Sequence, residues 1–178
     1  MSIEIICVEK IEAAKRQLET AIKLWFTESD QISVHTLACA AYQIVHDINK
    51  NNKGNELLLD SSLIKNEFRK EYISEMRKAM SFFKHADKDP DSHGTVEFAH
   101  AITDLYIIYS IIGIERFGEP RSELSAAFLL FYAMKNPNLI TKEFSDHFNI
   151  EIIANLPVIS KLEFMEQFLL MRRQGTQN

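Results

Sequence analysis

Four side chains able to move protons or hold ligands recur along one short stretch: His35, Cys39, Tyr42 and His46. At 100° per residue they fall within an arc of about 60° on a helix. Their neighbours Val34, Leu37, Ala38, Ala41, Ile44, Val45 and Ile48 are apolar, so this polar stripe is expected to face protein. Buried imidazoles and phenols must find partners there or line a polar cavity. Two structural alternatives stand beside the cavity: His35 can serve the capping region, and His46 in the last turn suits the helix dipole.

A second concentration of hydrogen-bonding groups runs from Phe82 to His93 and includes Lys84, His85, Asp87, Lys88, Asp89 and Asp91. Functional groups gather on such loops, although Lys84 and His85 also complement the end of a helix. The ligand-binding candidates are therefore His35, Tyr42, His46, Lys84, His85, Asp87 and Asp89. In that arrangement Lys84 attracts an anion, and His35 and His85 exchange hydrogen bonds with it.

Other chemistries fit less well. Asp87, Asp89 and Asp91 occupy the first odd positions of a calcium loop, but Ser92 stands where glycine is needed and Phe98 where a bidentate Glu is needed. For a transition metal, His35 and His46 lie about 16 Å apart along a helix and cannot share one ion. No metal site is expected. Cys39 and His35 are one turn apart, yet a buried free cysteine is usually inert. Neither GxGxxG nor a P-loop occurs, and no cofactor is expected.

The segments Leu24-Trp25-Phe26, Ser33 to Ala38, Ala40 to Ile48, and Phe82 to Pro90 together resemble an uncharacterised family of bacterial proteins of about 180 residues. Some members carry the label "amino acid transporter", which the absence of a long apolar segment here contradicts. Arg77, Lys78 and His85 bear a more distant similarity to the HEPN superfamily of helical bundles, many of them RNases of defence or toxin type. The HEPN motif places four to six residues between Arg and a His at a helix end. Seven separate Arg77 from His85, and six separate Lys78 from His85. That resemblance implies a metal-independent RNase in which His85 moves the proton and Arg77 or Lys78 stabilises the phosphorane.

The elements that would position these groups are helices. Five Gly and four Pro in 178 residues leave little material for the turns of an all-β protein. Apolar residues recur at helical spacing over 8–27, 34–49, about 63–85, 96–117, 122–135 and 158–173, with shorter helices expected at 141–147 and 150–155. Ser33 is the expected N-cap of the second helix, and Asp60, Ser61 or Ser62 that of the third. Helix four is apolar nearly all round, which predicts a central place. The expected fold is an all-α antiparallel bundle of five to seven helices in one domain, 1–178. Residues 1–7 form an N-terminal extension and 172–178 a flexible tail.

Net charge of −5 offers no broad basic footprint for nucleic acid. The run Lys65, Arg69, Lys70, Arg77, Lys78, Lys84, interrupted by Glu67, Glu71 and Glu75, reads as a solvated helix face. Two cysteines without a CxxC, and no basic leader, point to a reducing cytoplasm. The longest apolar stretch is about half of what a membrane span needs, so a membrane is not an expected partner. The leading expectation is a binding or regulatory protein for a small anionic ligand. An RNase acting on RNA is the alternative, and an interaction-only homodimer is the third.

Overall fold

The computed structural model describes residues 3–62, 64–85, 90–139 and 160–175. Within them the chain forms an all-α bundle: α1 Lys10–Phe26, α2 Gln31–Asn51, α3 Asn66–Lys84, α4 His100–Arg116, α5 Glu123–Lys135 and α6 Lys161–Gly175, with a 3-10 turn at Pro137–Leu139. The expected short helices at 141–147 and 150–155 lie outside the described residues. The helix after Ser160 continues to Gly175, past Arg172 where a tail was expected.

Local chemistry sets the ends. The carboxylate of Asp30 accepts a hydrogen bond from the Ser33 amide at 2.8 Å, so α2 starts at Gln31 and Ser33 lies inside it. Ser122 caps α5, its Oγ accepting from the Ser125 amide at 3.2 Å. Gly118, at φ +83°, takes the left-handed conformation that closes α4. The third helix begins later than expected. The Asp60 carboxylate accepts from the Leu57 amide at 2.7 Å, which fixes a loop instead of a helix start. That loop buries Leu57, Leu58 and Leu59.

The core joins α1, α2 and α4. Trp25 Nε1 at the end of α1 donates to Asp104 near the start of α4, 2.8 Å, so these two helices run in opposite directions. Thr103 meets His35, and Gly113 meets Val45, so α2 and α4 run the same way and stay in step. A Cβ on Gly113 would come within 2.1 Å of Val45 Cγ1, which makes glycine the residue that admits this close approach. α2, more than α4, is the hub: it packs on α1, α3 and α4. Trp25, Phe26, Phe128, Phe131 and Phe164 form an edge-to-face cluster that seats α5 and α6 against α1. α3 sits at the outside. It is held to α4 by Tyr106, whose hydroxyl donates to the Met76 carbonyl at 2.9 Å, and to α2 by Phe83, which meets the His35 ring edge-on. Among the described residues no helix is long and apolar enough to cross a membrane.

Candidate functional site

The polar stripe of α2 lies inside the molecule. His35 is fully buried. Its Nδ1 is 2.8 Å from Thr103 Oγ1 and its Nε2 is 3.3 Å from Cys39 Sγ. Either neutral tautomer satisfies both contacts, because the hydroxyl and the thiol can each donate or accept. Phe83, Phe98 and Tyr106 surround the ring at centroid distances of 5.8, 5.2 and 5.8 Å. Desolvation holds the imidazole pKa down at about 4 and pushes the Cys39 thiol up to about 12. The pair is therefore neutral at physiological pH, and neither group is poised for nucleophilic or acid–base work.

Tyr42 and His46 continue the stripe toward the other end of α2. The Tyr42 hydroxyl accepts from the Leu59 amide at 3.0 Å and pins the buried loop; burial raises its pKa. His46 Nδ1 is 3.4 Å from Asp47 Oδ1, and its Nε2 is 3.8 Å from Asp60 Oδ2. The contacts of Tyr42 with Leu59 and of His46 with Asp60 join α2 to the 57–60 loop. Among the described residues no three His, Cys, Asp or Glu side chains gather closely enough to hold a metal ion.

The outer face of α3 is different. It forms one wall of an open groove of about 700 Å³ that is closed on the other side by Thr95 and Val96. Lys70, Arg77, Lys78 and His85 line it, with the hydroxyls of Ser74, Ser81 and Thr95 between them. Ile73, Met80, Phe82 and Val96 supply an apolar floor. No Asp or Glu is among the described residues that line it. Among the described residues Glu75 lies 3.8 Å from the Lys78 ammonium and is itself turned to solvent. Nε of Arg77 is buried and has no hydrogen-bond partner among the described residues. The charge of Arg77 also acts on Tyr42, Asp47 and Tyr106, so this side chain borders the interior as well as the groove.

The structure thus separates two sets that the sequence reading joined. Arg77, Lys78 and His85 share the groove. His35, Tyr42 and His46 do not line it; they are buried and hydrogen-bonded elsewhere. Lys84 also lies off the groove, and its charge is felt at Cys39, where it partly offsets the effect of burial. Asp87 and Asp89 lie outside the described residues. Lys70 was read from sequence only as part of a solvated basic run, and Ser74, Ser81 and Thr95 were not singled out. The signal was present, since Lys70, Ser74, Arg77, Ser81 and His85 recur every three or four residues, which is one helical face. No known protein family, curated protein or solved structure matches the chain.

Proposed function

We propose that the chain is a binding protein whose α3 groove receives an anionic ligand, carrying phosphate or carboxylate groups. The observation that carries this reading is the lining: Lys70, Arg77, Lys78 and His85 with three hydroxyls and no described carboxylate, in a chain of net charge −5. An acidic protein that segregates cations along one groove creates a local field attractive to anions. The apolar floor suits the carbon skeleton of a metabolite or a base. The binding surface is then the outside of α3 and not a pocket between α2 and the loop that follows α3. A thermal-shift panel of phosphorylated and carboxylated compounds tests it. Binders should raise the melting temperature, and Lys70→Glu with Lys78→Glu should weaken them at least tenfold, about 1.4 kcal/mol. Both lysines are exposed, so the fold should survive the change. A panel that leaves the melting temperature unmoved contradicts the reading.

One observation favours a second reading, RNA cleavage: His85 lines the same groove as Arg77 and Lys78. His85 would take the proton from a ribose 2′-hydroxyl, whose oxygen attacks phosphorus and expels the 5′-oxygen; that oxygen takes a proton from water, leaving a 5′-hydroxyl and a 2′,3′-cyclic phosphate. Arg77 or Lys78 would stabilise the charge that builds on the phosphorane. Along the α3 axis Arg77 stands about 12 Å from His85, a gap that the long arginine side chain must help to close. Incubation with end-labelled RNA decides. Cleavage that disappears in His85→Ala supports an enzyme, and intact RNA leaves the binding reading alone.

A further inference from the structure

Residues 3–9 lead into α1 without regular structure, and their apolar side chains stand in water. Ile3 is 86% exposed, Ile5 83%, Ile6 70% and Val8 42%. A single exposed isoleucine needs no account, but four large β-branched side chains within six positions form a patch that a partner would cover. β-branched residues also favour the extended conformation in which a strand or strap binds. The charge of this segment is the complement of the groove: Glu4 and Glu9 are acidic and residues 3–9 contain no base. In extended form, both of its sides mix apolar and acidic groups. Ile3, Ile5 and Glu9 lie on one side, Glu4, Ile6 and Val8 on the other.

Length agrees as well. From Ile3 to Glu9 an extended chain covers about 20 Å. From Lys70 to His85 the axis of α3 covers about 22 Å. Between the cations the groove offers Ile73, Met80 and Val96, which match the isoleucines in kind. The segment of the same chain is poorly placed to reach them, because α2 stands between α1 and α3.

We propose that residues 3–9 of one copy lie along the α3 groove of a second copy, with the side that carries Ile3, Ile5, Cys7 and Glu9 turned inward, Glu9 facing its cations and Ile3 and Ile5 on its apolar floor. Reciprocal exchange closes a two-fold dimer, the commonest closed assembly. This rests on the reading of the groove as an anion-accepting surface. The segment and an anionic ligand then compete for the same cations, so ligand binding loosens the dimer.

Cys7 lies in the exposed segment and provides a native handle. In Ser74→Cys, oxidation should link position 74 of one chain to Cys7 of another, giving a dimer on a non-reducing gel. Mass spectrometry should find that linkage, and Cys7→Ser in the same background should remove it. Sedimentation should show the unaltered chain as a dimer and Ile5→Asp with Ile6→Asp as a monomer. Added tripolyphosphate should dissociate the dimer, and it should bind the monomeric variant more tightly than the unaltered chain. An unaltered chain that sediments as a monomer overturns the proposal, as does a dimer that persists in the double aspartate variant. Tripolyphosphate binding to a monomeric unaltered chain would uphold the anion reading and overturn only the exchange. Position-specific cross-linking without tripolyphosphate binding would uphold the exchange and overturn the ligand reading.

Discussion

The imidazole of His35 is held at both nitrogens and enclosed by three aromatic rings, and that setting decides what it can do. The sequence placed His35, Cys39, Tyr42 and His46 on one inward face, and all four are buried. Periodicity carries that information because the neighbours are apolar. It does not say whether a buried polar group meets a cavity or a partner. Here the partner is Thr103, 68 positions away, and only the packing of α4 against α2 brings it there. His35→Ala should therefore destabilise the fold by about 2–4 kcal/mol, since it opens a cavity and strands Thr103. Urea melts measure this, and tripolyphosphate affinity should be unchanged in whatever fraction stays folded. The pH dependence has a definite sign. Burial lowers the folded-state pKa of His35 to about 4, below the ordinary 6.5. Between those values the unfolded chain binds the extra proton, so stability rises with pH across the window and is lost as pH falls through it. The slope from this group is at most about 1.4 kcal/mol per pH unit. In His35→Gln that part of the slope should vanish; a slope identical in both proteins would show that His35 is not the group responsible.

At the scale of elements, the apolar periodicity located the described helices well, because each buries one face on a neighbour. Their ends were less legible. Asp30 and Ser33 are both good capping residues, and the choice between them depends on where the chain leaves α1. The start of α3 was misplaced for a similar reason: Asp60 spends its carboxylate on Leu57, and the helix begins at Asn66. Helix four was expected at the centre on hydrophobicity alone, yet α2 holds more of the bundle together. The reason lies in Gly113, which lets α4 press directly on Val45. Alanine usually stabilises a helix interior by about 1 kcal/mol relative to glycine. Gly113→Ala should instead cost about 1–3 kcal/mol, because Val45 is a stiff β-branched side chain that cannot swing aside. Chemical denaturation of Gly113→Ala, Val45→Ala and the double variant forms a cycle. The two changes should be strongly non-additive, with Val45→Ala relieving the clash; simple additivity would mean the helices are not in contact at this point.

For the molecule as a whole, the groove arises from an imbalance within one helix that the total charge conceals. The run of cations from Lys65 to Lys84, broken by Glu67, Glu71 and Glu75, gave the appearance of a solvated face. Once wound into α3, it places Lys70, Arg77, Lys78 and His85 on the groove and leaves those three acids off its lining. Composition cannot reveal this, because it counts charges without their direction; the three- and four-residue spacing of the stripe could have. Anion binding there should weaken as salt rises, since Lys70 and Lys78 are open to water and screened within about 10 Å at 0.1 M salt. Calorimetric titration with tripolyphosphate at two ionic strengths checks this, and an affinity indifferent to salt would point to a contact of another kind.

The most direct test of the central claim is a titration of isotope-labelled protein with tripolyphosphate, followed by amide chemical shifts. If α3 carries the ligand, the shifts should cluster on Lys70, Ser74, Arg77, Ser81, His85 and Thr95, and should be lost in Lys70→Glu with Lys78→Glu. A second groove of similar size, lined by Asn49, Asn52, Lys53 and Arg116, lies at the opposite end of α2 from His35 and supplies an internal comparison. Shifts centred there, or scattered evenly over the surface, would contradict the assignment of the site to α3.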